Sequence, residues 1–314
     1  MCFVTCDRKG LTVDSSKLKI RKNFNPMVFL CFRLLTVGLW IWLMYLCHII
    51  DLGLIGYAEA CALQKRVVAA RKASGIEDAL LLCEHPPVIT LGRSGKRENL
   101  LASEHVLRQK GVGFHATDRG GDVTYHGPGQ IVGYPILNLG AIRRDVVWYV
   151  RTLEEAMIRA TAEFGIAAER EPGKTGVWVK VLKEDEERSL PTRSEPSVGS
   201  SAVADELGMT TLAGSSEKLA AIGVHISRWV TSHGFAYNVS TDLRNFDLIV
   251  PCGIADRKAT SLEKLLGRKV EEKEVAPRIA KHLGELLGLE MKETSRKEFV
   301  EKLAGAEQAV MASA

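Results

Sequence analysis

Cys252 stands between Pro251 and Gly253, so a thiol and open backbone amides share one bend. A thiolate is a strong nucleophile for acyl transfer, and free amides in such a bend can serve a developing oxyanion. At an ordinary pKa of about 8.5, only a few per cent of a thiol is ionised near neutrality, so a catalytic cysteine needs an activating neighbour. A lone loop cysteine without one is ordinarily inert. The second candidate is the stretch RGGDVTYHGPGQIVGYPILNL, residues 119–139, in which Gly120, Gly121, Gly127, Gly129 and Pro128 surround Asp122, Tyr125 and His126. Glycine permits positive φ and close backbone approach. The stretch therefore reads either as chain folded tightly against a ligand or as a Gly-Pro hairpin turn. A mere turn has no use for Arg119, Tyr125 and His126 together. Neither G-x-x-x-x-G-K-[ST] nor G-x-G-x-x-G is matched, so the nucleotide-fold fingerprints are not met.

Hydrophobic periodicity supplies the elements that must position these residues. Tyr57, Ala60, Leu63, Val67 and Val68 recur at helical spacing between Gly56 and Lys72, with Arg71 and Lys72 closing the helix as the macrodipole favours. The continuous apolar run 79–84 predicts a buried strand with Cys83 as a small core residue, and 88–91 resumes β after His85-Pro86-Pro87. His85, at a strand end before two prolines, reads as structural. Gly92-Arg93-Ser94-Gly95-Lys96 is a basic loop, either a solvated turn or a contact for an anionic group on a substrate. Residues 98–110 predict a helix and 112–115 a short strand. Val147, Val150, Leu153, Met157, Ala160 and Phe164 mark an amphipathic helix over 144–164, and 176–181 (GVWVKV) a strand. A strand over 218–226 (KLAAIGVHI) pairs with 228–239 as a hairpin, and two helical segments follow at 261–266 and 275–287. The residues past Lys292 form a charged, Ala-rich tail with helical character. Strands and helices mix without strict βαβ alternation, which fits an α+β (mixed α/β) fold.

The chain is long enough for one large domain or two small ones, and its net charge of +4 makes no case for nucleic acid. Its seven cysteines include no C-x-x-C pair, and the odd count fits reduced thiols in a cytoplasmic protein. Two stretches stand apart. Residues 1–43 carry a basic patch (Lys17, Lys19, Arg21, Lys22), and the apolar run 27–47 just reaches the roughly 20 residues a membrane span needs. Arg33 weakens a membrane anchor. Ala58-Glu59-Ala60 mimics a signal cleavage site but lies within the first helix. A leader outside the fold, with the working chain starting at Met44, is expected. Residues 183–217 are rich in Ser, Glu, Gly and Pro, and predict a disordered insertion.

The motif RGGDVTYHGPGQ resembles the signature of the lipoyl (octanoyl) transferases, and the likeness runs in order from about Leu46 to about Leu289. These are cytoplasmic enzymes that move an octanoyl group from acyl carrier protein to a lysine of lipoyl domains. The resemblance implies that Cys252, in its PCG turn, works with Lys218, which opens the K-x-A-A-I-G strand 34 positions earlier. Cys252 would be acylated with release of the carrier. The acyl-enzyme would then be attacked by a lysine amine of a lipoyl domain, as found in 2-oxoacid dehydrogenase complexes and the glycine cleavage H protein. Lys218 would depress the Cys252 pKa and help deprotonate the incoming amine. Arg119, Gly120, Gly121, Asp122, Val123, Thr124, Tyr125 and His126 match segments that line the family's acyl site. So do Ala221, Ile222 and Gly223, and Gly234, Phe235 and Ala236. Gly223 and Gly234 are expected to leave space, with Ile222 and Phe235 as apolar wall. His126 would orient the thioester or the catalytic pair, or make a structural hydrogen bond. Joining strand 176–181 to the next by a long insertion departs from the family's short turn.

The resemblance further implies the catalytic-domain fold of biotin and lipoate protein ligases, a mixed sheet flanked by helices, in a monomer. No metal or ATP is expected, since a thioester is already activated. Two rivals remain. One is an ATP-dependent ligase, which needs no nucleophilic cysteine. The other is a non-catalytic, membrane-tethered acyl-binding scaffold.

Overall fold

A computed structural model describes residues 45–181, 215–250 and 258–312. Eleven strands are found there: β1 (Tyr45–Leu54), β2 (Asp78–Glu84), β3 (Val88–Leu91), β4 (Gly113–Ala116), β5 (Val123–His126), β6 (Gln130–Ile136), β7 (Ala168–Glu169), β8 (Val177–Val181), β9 (Ser215–Ser227), β10 (Val230–Asn238) and β11 (Leu289–Glu293). Eight form one mixed sheet in the order β11-β1-β2-β6-β10-β9-β8-β7, and three form a small sheet, β4-β3-β5. Within the large sheet β1 runs parallel to β2 and β11, whereas β2, β6, β10, β9 and β8 pair antiparallel in turn.

Each face of the large sheet is covered by helices, because both sets of alternating side chains are apolar. On one face lie α4 (Val146–Ala162) and α6 (Glu272–Leu287), burying Tyr149, Leu153, Met157, Ile279 and Leu283 against Leu80, Leu219 and Tyr237. The other face is covered by α1 (Tyr57–Lys72) and α7 (Arg296–Ala312), with Leu63, Val67, Phe299 and Leu303 packed on Leu81, Ile136 and Ala236. Shorter helices complete the set: α2 (Glu104–Gln109), α3 (Leu139–Ile142) and α5 (Leu262–Leu266). The small sheet has its own core of Ile89, Val123, Tyr125, Leu107 and Ile249. This is an α+β fold.

Three expectations are corrected. The single helix over 98–110 is a 3-10 turn (Arg97–Asn99) followed by α2, because Ser103 takes the N-cap position and its Oγ accepts from the Val106 amide at 3.3 Å. The charged tail past Lys292 belongs to the fold. β11 extends the sheet in parallel with β1, and α7 spaces Phe299, Leu303 and Ala306 on one face at i, i+4 and i+7, all buried. The expected insertion ends earlier than Glu217, since Ser215, Ser216 and Glu217 pair with Val181, Lys180 and Val179. Residues 183–214, and the leader expected over 1–43, lie outside the described residues. No described helix is long and apolar enough to cross a membrane.

Candidate active site

The site forms where the β9–β10 hairpin of the large sheet faces the glycine-rich segment that precedes β5. A cavity of about 410 Å³ lies between them. Of the residues expected from sequence, Arg119, Gly121, Asp122, Val123, Thr124, His126, Lys218, Ala221, Ile222, Gly223, Gly234, Phe235 and Ala236 all line it. Gly120 sits behind the lining, its amide donating to the Val224 carbonyl at 2.9 Å, which ties the segment to β9. Tyr125 points away, into the core of the small sheet, with its hydroxyl accepting from Asn245 at 3.1 Å. The outward turn follows from strand alternation, since neighbours in β5 face opposite sides.

Arg119 holds the segment together. Its guanidinium is buried and donates to the carbonyls of Thr90 (2.7 Å), Asp122 (2.7 Å) and Gly120 (3.0 Å), and to Thr90 Oγ1 (2.9 Å). Asp122 clamps the basic loop 92–96 to the same segment. It accepts from the amides of Lys96 (3.1 Å) and Val123 (2.7 Å) and from Asn99 Nδ2 (2.5 Å). Gly121 has φ of +85°, which a side chain would strain. The space at Gly223 and Gly234 is not left for a ligand, contrary to expectation. A Cβ on Gly223 would fall 2.7 Å from the Gly120 carbonyl oxygen, and one on Gly234 would strike the Gly133 carbonyl and Pro135. These glycines let backbones pass closely, and the apolar surface comes from Ile222, Phe235, Ala221, Ala236 and Val132.

His126 belongs to a buried hydrogen-bond chain. Gln130 Nε2 donates to the Tyr125 carbonyl (3.2 Å) and to Asn238 Oδ1 (2.9 Å), so Gln130 Oε1 accepts from His126 Nδ1–H at 2.7 Å. That leaves His126 Nε2 to accept from Thr90 Oγ1, itself held by Arg119. Asn238 Nδ2 donates in turn to the Thr260 carbonyl at 2.9 Å. Burial, aided by nearby His85 and Arg119, pushes the His126 pKa down to about 3, so the ring is neutral near pH 7. His85 is structural as expected, fully buried between the Ile55 carbonyl and the Tyr134 hydroxyl, each at 2.7 Å.

Lys218 lies at one end of the cavity with Lys174 and Thr175, its Nζ 4.6 Å from the centroid of the buried Trp178 ring. Its amide donates to the Lys258 carbonyl and its carbonyl accepts from the Thr260 amide, both at 2.9 Å. Cys252 falls outside the described residues. The described chain stops at Val250, whose amide donates to the Asn99 carbonyl at 2.8 Å, and resumes at Lys258 against Lys218. Sequence reasoning missed Tyr57, Tyr134, Lys174, Thr175 and His233 as lining residues. Only His233, preceding Gly234 in the hairpin, carried a readable signal. Among the described residues no cluster of metal-binding side chains occurs.

Residues 56–284 match the family model of the lipoyl protein ligase A/B catalytic domain. Over 223 residues the chain is 50% identical to an octanoyltransferase from Acidobacterium capsulatum, covering 69% of this chain and 79% of that protein. Identity to an octanoyltransferase from Solibacter usitatus is 46% over 78% of this chain and 94% of the relative. The chain belongs to the octanoyltransferase family. It is therefore an acyltransferase, and the fold likeness extends to more distant lipoate ligases. A bipartite lipoate protein ligase from Thermoplasma acidophilum superposes with a TM-score of 0.57 at 16% identity, covering 84% of this chain and 91% of that one. A lipoate-protein ligase A structure gives 0.56 at 14% identity over 85% and 94%. At such identities the likeness concerns the fold alone.

Proposed function

We propose that this octanoyltransferase takes its acyl group from octanoyl-acyl carrier protein and delivers it to a lysine of lipoyl domains through a Cys252 thioester, in the cytoplasm. The Cys252 thiolate attacks the donor carbonyl, the C–S bond to the carrier breaks, and the carrier leaves as a thiol that takes its proton from the Lys218 ammonium, leaving that lysine a neutral amine. A lipoyl-domain amine then attacks the acyl-enzyme, loses its proton to Lys218, and expels Cys252 as thiolate. The observation that carries this reading is the position of Lys218, which lines the cavity and is bonded through its backbone to Lys258 and Thr260, a few residues after Cys252 in the sequence.

Elimination among the described cysteines supports the assignment. Cys47 and Cys83 are buried, and burial pushes both thiols well up; Cys61, half-buried, is raised for the same reason. None is poised as a thiolate. The apolar wall of Ile222, Phe235 and Val132 suits an alkyl chain, each buried methylene contributing about 0.8 kcal/mol. The test is the donor requirement. Incubation with octanoyl carrier protein and a lipoyl domain, without nucleotide, should give octanoylated lysine. Product that forms only from octanoate plus ATP would make the protein a ligase instead.

A further inference from the structure

The acyl cavity does not end in a solid core. Beyond it lies a second, larger groove of about 1090 Å³, running between α1 and the tip of the β9–β10 hairpin. Two side chains, Tyr57 and His233, line both spaces. They lie at the opposite end of the cavity from Lys218, since Val224, the hairpin partner of His233, comes six residues after Lys218 along β9. We infer that Tyr57 and His233 form the end wall of the acyl cavity and set the longest straight acyl chain the enzyme accepts. The inference rests on the proposed placement of the thioester beside Lys218.

Both side chains are held in place by their neighbours, as a wall must be. The Tyr57 ring stacks on His126 (centroids 6.1 Å apart, planes within 11°) and meets His85 edge-on at 5.4 Å. His233 Nε2 bonds Asp118 Oδ1 at 2.8 Å, and the other Asp118 oxygen bonds His225 Nδ1 at 2.6 Å. The His233 amide donates to Gln64 Oε1 at 3.0 Å, and its φ of +54° fixes the direction in which the ring leaves β10. Past the wall, Ala58, Ala62, Val68 and Val230 contribute apolar surface to the groove, beside the charged Lys65, Lys72, Arg93, Asp118 and Arg228. Methylenes that passed the wall would meet that apolar surface. Tyr57 and His233, which line both spaces, stand between it and the acyl cavity.

The experiment compares octanoate with dodecanoate, by calorimetric affinity as free acids and by single-turnover acylation as carrier thioesters. Wild type, Tyr57→Phe, Tyr57→Ala and His233→Asn are compared. Asparagine tolerates the left-handed backbone at 233 while shortening the side chain. Each methylene that gains an apolar site is worth about fourfold in affinity. Tyr57→Ala or His233→Asn should therefore raise the dodecanoate-to-octanoate ratio about tenfold or more, while Tyr57→Phe keeps the wild-type ratio. If Tyr57→Ala does not fold, His233→Asn decides. A ratio unchanged in the folded shortened variants overturns the inference, as does a wild type that already favours dodecanoate by the full methylene increment. A shifted acid ratio with no acylation of any form would leave the wall standing and remove the transfer reading.

Discussion

The Lys218 ammonium lies 4.6 Å from the centroid of the Trp178 ring, and the Lys174 ammonium lies 5.4 Å from it. The indole thus presents its electron-rich face to two cations at one end of the acyl cavity. Such a contact is worth about 0.5–2 kcal/mol, according to how far the pair is desolvated. Trp178→Leu should lower the acyl-transfer rate about tenfold by releasing Lys218, and Trp178→Phe, which keeps a ring face, should lower it less. Transfer kinetics measured beside thermal melting separate this from a general loss of packing. Equal losses in both variants would remove the cation–π account.

Lys218 itself separates charge from basicity. Lys218→Met removes both, whereas Lys218→Arg keeps the charge on a group that stays protonated. The Arg variant should retain more Cys252 thiolate than Met, read as a lower midpoint of iodoacetamide alkylation against pH. Transfer to the lipoyl domain should be poor in both. An unmoved midpoint in Lys218→Met would pass the role to another cation, with Lys258 the next candidate.

His126 predicts a pH dependence of stability. Its pKa is about 3 in the folded chain, against an ordinary value near 6.5 for an unfolded one. In acid the unfolded state takes up a proton that the folded state refuses. Stability is therefore full above about pH 6.5 and falls as pH drops toward 3, by up to about 1.4 kcal/mol per unit. His126→Gln should flatten that limb between pH 6.5 and 4 in urea titrations, even if it lowers stability at pH 7. An unchanged slope would place the titration elsewhere.

Helix α7 predicts a large effect from a single distant residue. Phe299 is 1% exposed and packs among Leu63, Val67 and Leu303. Phe299→Ala should destabilise the protein by about 3–5 kcal/mol, measured by chemical unfolding. A change below about 1 kcal/mol would show that α7 is an appendage.

Much of this was legible because the signals were local. The helix over 57–72, the hairpin of β9 and β10 and the segment 119–126 all announce themselves by apolar spacing or by glycine. The missed features depend on tertiary contact. Phe299, Leu303 and Ala306 fall at helical spacing, yet in an Ala-rich segment three apolar positions look like a solvated tail until α1 is placed beneath them. Gly223 and Gly234 read as open space, because sequence cannot tell a gap filled by a ligand from one filled by the Gly120 or Gly133 carbonyl. Asp118 was passed over altogether. Its partners His225 and His233 are more than a hundred residues away, and although burial opposes it, their hydrogen bonds hold its carboxyl down to about 2.

The central claim is that a covalent octanoyl group resides on Cys252 during turnover, and intact-mass analysis after mixing with octanoyl carrier protein tests it most directly. One octanoyl increment should appear, be removed by hydroxylamine, map to the peptide containing Cys252, and be absent in Cys252→Ala. An increment that maps to Cys61 or Cys83, or transfer that proceeds at the normal rate in Cys252→Ala, would contradict it.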